Sequence, residues 1–111
     1  ADTGKAAAVI KMHSADADSK IELQTTTSNN AEPTTRMTIL KSGNVGIGDS
    51  SPDKKLHITD TGGNHLRIAF SDSFYYDIGR QASDGRLSIT DNVNGETFSI
   101  LPSGELSIRK V

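Results

Sequence analysis

Hydrophobic residues recur at every second position along most of the chain, in short runs with polar residues between them. Alternation with a period of two is typical of β-strands that bury one face. Gly, Asn, Asp, Ser, Thr or Pro bounds each run, as is usual where strands end in turns. The pattern predicts ten strands, over residues 8–12, 20–25, 36–40, 44–48, 55–59, 65–70, 75–79, 86–90, 97–101 and 105–111.

Residues 4–15 also permit a second interpretation, because the alanine run there suits a short helix. No other window repeats apolar residues with the spacing of a helix of three turns. We therefore predict an all-β fold built from short repeated strands.

An internal repeat organises these strands. Residues 37–47 align without a gap on residues 98–108, at an offset of 61, and residues 83–89 form a partial third copy. Gly43 and Gly104 fall where a hairpin turn needs a positive φ angle, which glycine adopts without steric cost. The repeat predicts two units of about sixty residues, and repeats of this kind are typical of stacked, elongated architectures.

The supply of core residues is small for a chain of this length. Leu, Ile, Val and Phe together make up 24 of 111 residues, close to the roughly 20% below which chains tend to be disordered. The chain has no cysteine, so disulfides cannot compensate. Clear strands with little core of their own favour oligomerisation, in which partner chains complete the core.

Charge and hydropathy restrict the classes of partner. The formal net charge is -2 and the basic residues are mostly scattered singly, so nothing favours nucleic-acid binding. No apolar stretch approaches the roughly 18 residues that span a bilayer, and we expect no membrane insertion. No motif suggests a cofactor, and we expect none.

A glycine-rich stretch, residues 41–58, raises the question of a nucleotide-binding loop. Gly43, Gly46 and Gly48 fit neither the P-loop nor the Rossmann spacing, and no helix is predicted after them. A strand face without side chains instead lets another backbone approach closely, as at the axis of an intertwined trimer. Pro52 is expected to end the strand pairing. We interpret the stretch as architecture.

Residues 36–58, "RMTILKSGNVGIGDSSPDKKLHI", resemble the signature of bacteriophage tail-fibre and tail-spike shafts. The matching positions are Ser42 to Gly48, Ser51-Pro52 and Lys55 to Ile58, whereas Asp49-Ser50 departs from the usual Thr-Thr or Thr-Ser. An aromatic strand element at 65–90 and a degenerate second motif at 97–111 extend the resemblance over a region 36–111. Residues 1–35 form an N-terminal segment that matches only as a generic β-repeat.

The resemblance implies an elongated, intertwined homotrimer of the β-prism, β-spiral or triple β-helix type in the tail fibre of a virion. Such a segment extends the fibre and presents a host-receptor-binding surface. The implied partners are two further copies of the chain, the rest of the fibre, and a host cell-surface glycan or outer-membrane protein. The residues expected in the trimer core or as structural elements are Val45, Gly46, Ile47, Gly48, Pro52, Leu56, Ile58, Phe74 and Tyr76.

A first alternative makes this segment the receptor-binding tip. Tyr75, with Asp72, Asp77 and Arg80 nearby, is the candidate glycan-binding cluster, because sugars stack on aromatic rings and hydrogen-bond to charged groups. Loops 25–35 and 91–96 would complete the contact surface. Phe74 and Tyr76 lie on the opposite strand face, and we favour their interpretation as core anchors over a ligand site, because the chain has few other large apolar residues.

A second alternative is a fragment of a glycan-hydrolysing tail spike, which needs two suitably separated carboxylates. Asp72, Asp77, Asp84 and Glu96 are available, but aspartates at turns are also ordinary turn formers. We expect that the chain is not an enzyme and that it has no catalytic residue.

We also expect no metal site. The histidines, at 13, 57 and 65, lack the close spacing of zinc ligands. Asp16 and Asp18 have the spacing of a calcium loop without its later Gly and Glu, which favours a solvated turn.

Overall fold

The computed structural model describes residues 8–14, 18–28 and 31–109, and in these ranges it contains ten strands and no helix. The all-β prediction is confirmed. The helical alternative for residues 4–15 is wrong where the structure describes them, because Ala8–His13 is a strand. The chain divides into two compact units, Ala1–Thr59 and Asp60–Val111, and each contains one five-stranded sheet.

The first unit holds its strands in chain order, so each strand lies beside the one that precedes it. Neighbours are antiparallel except the last pair, which is parallel. The strands are β1 (Ala8–His13), β2 (Lys20–Thr25), β3 (Thr34–Leu40), β4 (Val45–Ile47) and β5 (Leu56–Ile58). Segment 1–35 and the motif at 36–58 therefore contribute to the same sheet.

The second unit is a fully antiparallel sheet, also in chain order. Its strands are β6 (Leu66–Ser71), β7 (Phe74–Arg80), β8 (Leu87–Asp91), β9 (Gly95–Ile100) and β10 (Leu106–Ile108). Every one of the ten strands corresponds to one predicted run, with ends that differ by a few residues.

The sequence repeat reappears as a repeated hairpin turn. Gly43 donates its backbone N–H to the carbonyl of Leu40 at 2.8 Å, and Gly104 donates to Leu101 at the same distance. The φ angles of the two glycines are 77° and 88°, in the left-handed region that favours glycine. The predicted glycine turns at both copies are confirmed.

Burial in this fold is inverted relative to an ordinary globular domain. In residues 8–14, 18–28 and 31–109, Pro52 is the one apolar side chain that is buried, whereas several polar side chains are. The buried polar residues are Glu22, Thr38, Asp77, Ser88 and Ser99. A lone sheet covers only the small or well-paired side chains at its centre, so the fold leaves its apolar residues on an open face.

Candidate functional site

The first sheet carries most of its apolar residues on one face, whereas Val9 and Leu40 lie on the other. Residues paired directly across neighbouring strands project from the same side of a sheet. The pairing generates two uninterrupted apolar rows, each crossing all five strands. One row is Met12, Ile21, Ile39, Val45 and Leu56, and the other is Ile10, Leu23, Met37, Ile47 and Ile58.

The second sheet repeats this arrangement. One apolar row again crosses all five strands, and shorter rows flank it. The complete row is Leu66, Ile78, Ile89, Phe98 and Ile108. Next to it, Leu87 pairs with Ile100 and Tyr76 pairs with Ile68.

These two apolar faces are open in the single chain. Ile10 and Met12 are 72% and 76% exposed, and Phe70 is 94% exposed. Scattered surface apolar residues are normal, but contiguous apolar patches of this kind mark interaction surfaces. We therefore treat the two apolar faces as the candidate functional site.

The polar face of the first sheet explains the glycine-rich motif. Gly46 lies at the centre of β4, and a Cβ atom there would clash with the carbonyl oxygen of Asp49 and lie 3.2 Å from Cδ of Pro52. Both Gly46 and Pro52 are buried. The close approach that the sequence predicts at Gly46 is therefore made by the chain's own loop folding back over β4.

Side chains of the motif fasten this crossover loop, which we define as residues 48–55. The side-chain Nδ2 of Asn44 donates to the carbonyl of Pro52 at 3.0 Å, and Lys55 Nζ donates to the carbonyl of Ser42 at 2.8 Å. Gly48 has a φ of 71° and lies against the backbone of Thr59. The motif thus encodes a short parallel crossover from β4 to β5.

The second sheet uses a glycine in the same way. Gly79, at the polar face of β7, would clash through any Cβ with the backbone of Gly63 and Asn64. Gly63 and Gly79 are both buried. A glycine beneath a crossing loop is therefore a shared device of the two units.

The residues predicted for the trimer core separate into two groups. Six of them lie on the apolar faces. These are Val45, Ile47, Leu56 and Ile58 in the first unit, and Phe74 and Tyr76 in the second. Gly46 lies on the polar face, where it packs against Pro52, and Gly48 follows the end of β4.

The predicted glycan-binding cluster contains an organised ion pair. Arg67 donates to both carboxylate oxygens of Asp77, at 2.7 and 2.8 Å, and its guanidinium carbon lies 3.6 Å from the centroid of the Tyr75 ring. Asp77 is buried, and the hydrogen bonds from Arg67 lower its pKa. The structure therefore brings Tyr75 and Asp77 together through Arg67, a residue that sequence reasoning did not select.

The other two predicted members lie elsewhere. Arg80 is at the far end of β7 and, by strand alternation, on the opposite face from Tyr75 and Asp77. Its Nε donates to the carbonyl of Gly85 at 2.9 Å. Asp72 lies in the exposed turn between β6 and β7. Alternation along each strand could be read from the sequence. The register between β6 and β7, which places Arg67 directly opposite Asp77, could not.

The Arg67–Asp77 pair should make stability depend on pH at the acid end. Because the pKa of Asp77 is lowered in the folded chain, its contribution is present above the usual carboxyl value near 4 and is lost as pH falls below it. We expect the difference in free energy of unfolding between wild type and Asp77→Asn to be constant above about pH 5 and to shrink towards pH 2. Urea unfolding at a series of pH values measures it.

The control for this experiment is Asp72→Asn, which removes the same charge from an exposed turn. The free energy of unfolding of Asp72→Asn should differ little from that of wild type at every pH. An Asp77→Asn chain that keeps the acid dependence of wild type would show that the ion pair contributes no pH-dependent stability.

Asp84 and Glu96, which were also considered for hydrolysis, are engaged in ion pairs as well. Arg86 Nη2 lies 2.5 Å from Asp84 and Arg86 Nη1 lies 3.0 Å from Glu96. The hydrogen bond from Arg86 lowers the pKa of Asp84. A glycosidase acid needs a raised pKa, so the arrangement of these groups favours a structural role.

An apolar cleft of about 630 Å³ lies at the end of the second unit. Phe70, Phe74, Tyr75 and Val93 are among its lining residues. The side chain of Asn92, in the β8–β9 turn, joins that turn to the β6–β7 hairpin. It accepts a hydrogen bond from the backbone N–H of Tyr75 at 2.9 Å and donates one to the carbonyl of Ser73 at 2.8 Å. Tyr75 and loop 91–96 therefore lie together, whereas loop 25–35 belongs to the first unit.

The histidines do not converge. Within the described residues, no group of three His, Asp or Glu side chains could hold a metal ion. The nearest partners are Glu22 for His13, Asp49 for His57 and the carbonyl of Gly63 for His65. Asp16 lies outside the described residues, so the predicted turn at Asp16 and Asp18 is described only from Asp18 onward.

In comparisons with known proteins, no family model, curated protein or solved structure matches the chain. The described residues also include no helix that is long and apolar enough to cross a membrane.

Proposed function

We propose that this chain is a structural segment of a phage-like tail fibre, assembled as a homotrimer through its two apolar faces. The observation that carries the proposal is that no Ile, Leu, Val, Met, Phe or Tyr side chain in the described residues is buried. Fully burying one Ile, Leu or Phe side chain contributes about 1.5–3 kcal/mol. A chain that leaves all of these residues at least partly exposed is expected to gain its stability by covering them in an assembly.

The character of the faces favours copies of the same chain as partners. The two rows of the first sheet contain ten apolar residues and no charged one. Obligate homo-oligomer interfaces have this composition, because they resemble a domain core divided between chains. The tail-fibre resemblance of residues 36–58 supports three copies and an intertwined, elongated assembly of the β-prism, β-spiral or triple β-helix type.

The polar faces are suited to solvent in such an assembly. They carry the ion pairs of Arg67 with Asp77 and of Arg86 with Glu96. A sheet with one face packed and one face solvated is a common antiparallel arrangement. In the fibre, the segment would extend the structure away from the virion. Its outer, polar face would present the surface that binds a host glycan or outer-membrane protein.

Solution mass is the direct test of this proposal. Sedimentation equilibrium is expected to give about three times the chain mass of 11.8 kDa, together with a β-type circular dichroism spectrum. The physical reason is that the open faces make the single chain unstable on its own. A folded monomer at micromolar concentration would contradict the proposal.

A second candidate function is that this segment is the receptor-binding tip. The apolar cleft at Phe70, Tyr75 and Val93 favours it, since aromatic walls with nearby Asn and Asp side chains suit a sugar. Glycan-array binding by the assembled protein, lost on Phe70→Ser, would distinguish a tip from a shaft.

A further inference from the structure

The two units share one four-stranded arrangement. Strands β1-β2-β3-β4 of the first sheet and strands β7-β8-β9-β10 of the second are antiparallel throughout and follow the order of the chain. The fifth strand differs, because β5 lies beside β4 in the first sheet whereas β6 lies beside β7 in the second. In the described part of the chain, β10 therefore has no neighbour at the edge where β4 has β5.

The hairpins β3–β4 and β9–β10 agree at the level of single hydrogen bonds. Each has one bond from backbone N–H to backbone carbonyl at its turn and another at its open end, and the offset of 61 that aligns the sequences relates the two pairs. The bonds are Leu40 to Asn44 (2.9 Å) and Gly48 to Arg36 (3.0 Å) in the first unit, and Leu101 to Glu105 (2.9 Å) and Arg109 to Thr97 (2.9 Å) in the second. The edge of β10 is thus equivalent, residue by residue, to the edge of β4.

The outer edge of β4 is used by β5. The backbone N–H of Val45 donates to the carbonyl of Lys55 at 3.0 Å, and the carbonyl of Ile47 accepts from the N–H of Thr59 at 2.9 Å. These two bonds hold β5 parallel to β4. The first unit therefore shows which kind of strand an edge of this shape accepts, and in which direction.

The corresponding groups on β10 are the N–H of Leu106 and the carbonyl of Ile108. Alternate residues of an antiparallel strand direct their backbone groups towards the paired strand and away from it, so both groups point away from β9. Leu106 and Ile108 are 56% and 68% exposed. Their register with β9 is regular and the strand contains no proline, so nothing that usually protects an edge against further pairing is present in β10 itself.

The crossover of the first unit has no counterpart at β10. That crossover passes over Gly46, where a Cβ atom would overlap the carbonyl oxygen of Asp49. The residue equivalent to Gly46 is Ser107, which carries a Cβ. Glu105 stands at the position of Asn44, and a carboxylate cannot donate the hydrogen bond that fastens the crossover loop. A strand beside β10 therefore reaches this edge by another path.

We propose that β10 binds an extended segment of a partner chain as a parallel strand, in the position that β5 occupies beside β4. The segment that fits resembles β5 and carries two aliphatic residues at alternate positions. Residues placed as Leu56 and Ile58 are beside β4 would continue the apolar face beyond β10. Main-chain hydrogen bonds give such strand addition its affinity, and the alternate side chains give it specificity. Assigning the segment to a neighbouring part of the fibre rests on the proposed function, whereas the open edge does not.

Titration of the assembled protein with a capped peptide of residues 53–60 tests the proposal by amide chemical shifts and hydrogen exchange. We expect saturable shifts at Leu106 and Ile108 and slower exchange of the Leu106 N–H. Shifts confined to β4, or no saturable shift, would overturn the proposal. A Leu106 N–H that is already protected without peptide, in a protein that takes up no peptide, would show that copies of this chain cover the edge and would also overturn it.

Two modified peptides separate edge pairing from adhesion to the apolar face. Methylation of the backbone nitrogen of Thr59 keeps every side chain and removes the donor that pairs with Ile47 in the first unit. This peptide is expected to bind about fivefold more weakly, as the loss of one main-chain hydrogen bond implies. A peptide with Leu56→Ser and Ile58→Ser should give no saturable shift. Equal affinity of the methylated and unmethylated peptides would show that the edge does not hold them and would overturn the proposal.

Sedimentation of the same samples separates this inference from the proposed function. A trimer that takes up no peptide would remove the edge proposal alone. A folded monomer that binds the peptide at β10 would remove the homotrimer alone.

Discussion

Replacing Ile47 with aspartate is expected to abolish assembly and folding together. Ile47 lies in the second apolar row of the first sheet, between Met37 on β3 and Ile58 on β5. In the proposed homotrimer this position would be covered, and an unpaired carboxylate there would cost several kcal/mol or be forced to take up a proton. A cost of that size is comparable to the whole stability of an ordinary domain, about 5–15 kcal/mol.

Sedimentation and circular dichroism measure the two effects on one sample. Ser28→Asp is the matched control, because it adds the same charge at an exposed loop position of the same unit. The control should retain the mass and the β spectrum of wild type. An Ile47→Asp protein that remains folded and trimeric would show that the apolar face of the first sheet is not an assembly surface.

Replacing Gly46 with alanine should give the second large effect, on stability. The added Cβ would overlap the carbonyl oxygen of Asp49, so the crossover loop must shift away from β4. That shift would break the Asn44–Pro52 hydrogen bond and expose Pro52. Overpacking of this kind costs roughly 1–3 kcal/mol. The cost of Gly46→Ala should be at the upper end of this range, because the new Cβ meets the backbone of Asp49 and not the end of a flexible side chain.

Gly104→Ala separates steric overlap from backbone conformation. Gly104 has a φ of 88° and open space around its Cβ position, so its substitution costs only the left-handed conformation, about 1–2 kcal/mol. Denaturant midpoints at equal chain concentration compare the two variants, since the stability of an oligomer depends on concentration. Equal midpoints for Gly46→Ala and Gly104→Ala would mean that the crossover loop does not require a residue without a Cβ at position 46.

The strands were predictable because each carries its own local signal. Alternation with period two and a turn residue at each end are properties of a few neighbouring residues. The hairpin turns at Gly43 and Gly104 were predictable for the same reason, since two aligned copies place glycine at the same turn position.

The neighbour of Gly46 was not predictable from the alternation of residues. The sequence indicates that some backbone approaches this glycine, and we expected another chain. Parallel strands usually need a crossover of about a dozen residues or more, whereas residues 48–55 connect β4 to β5 in eight. The hydrogen bonds of Asn44 and Lys55 permit so short a connection, and such pairings depend on the folded loop.

The contact of Arg67 with Asp77 and Tyr75 also required the register of β6 against β7. That register contains an irregularity between Ala69 and Ser71. A shift of one residue would move every side chain of β6 to the other face. Residue type alone therefore identified Tyr75 and Asp77 as notable but did not identify the guanidinium that joins them.

The chain-order arrangement of strands within each sheet has a consequence for synthesis. Every strand pairs with the strand made just before it, so no segment has to wait for a distant part of the chain. Contacts that are local in sequence form quickly, because little loop-closure entropy opposes them. Each unit can thus acquire its backbone pairing as it leaves the ribosome, and in the proposed homotrimer the slow, concentration-dependent step would be the meeting of completed chains.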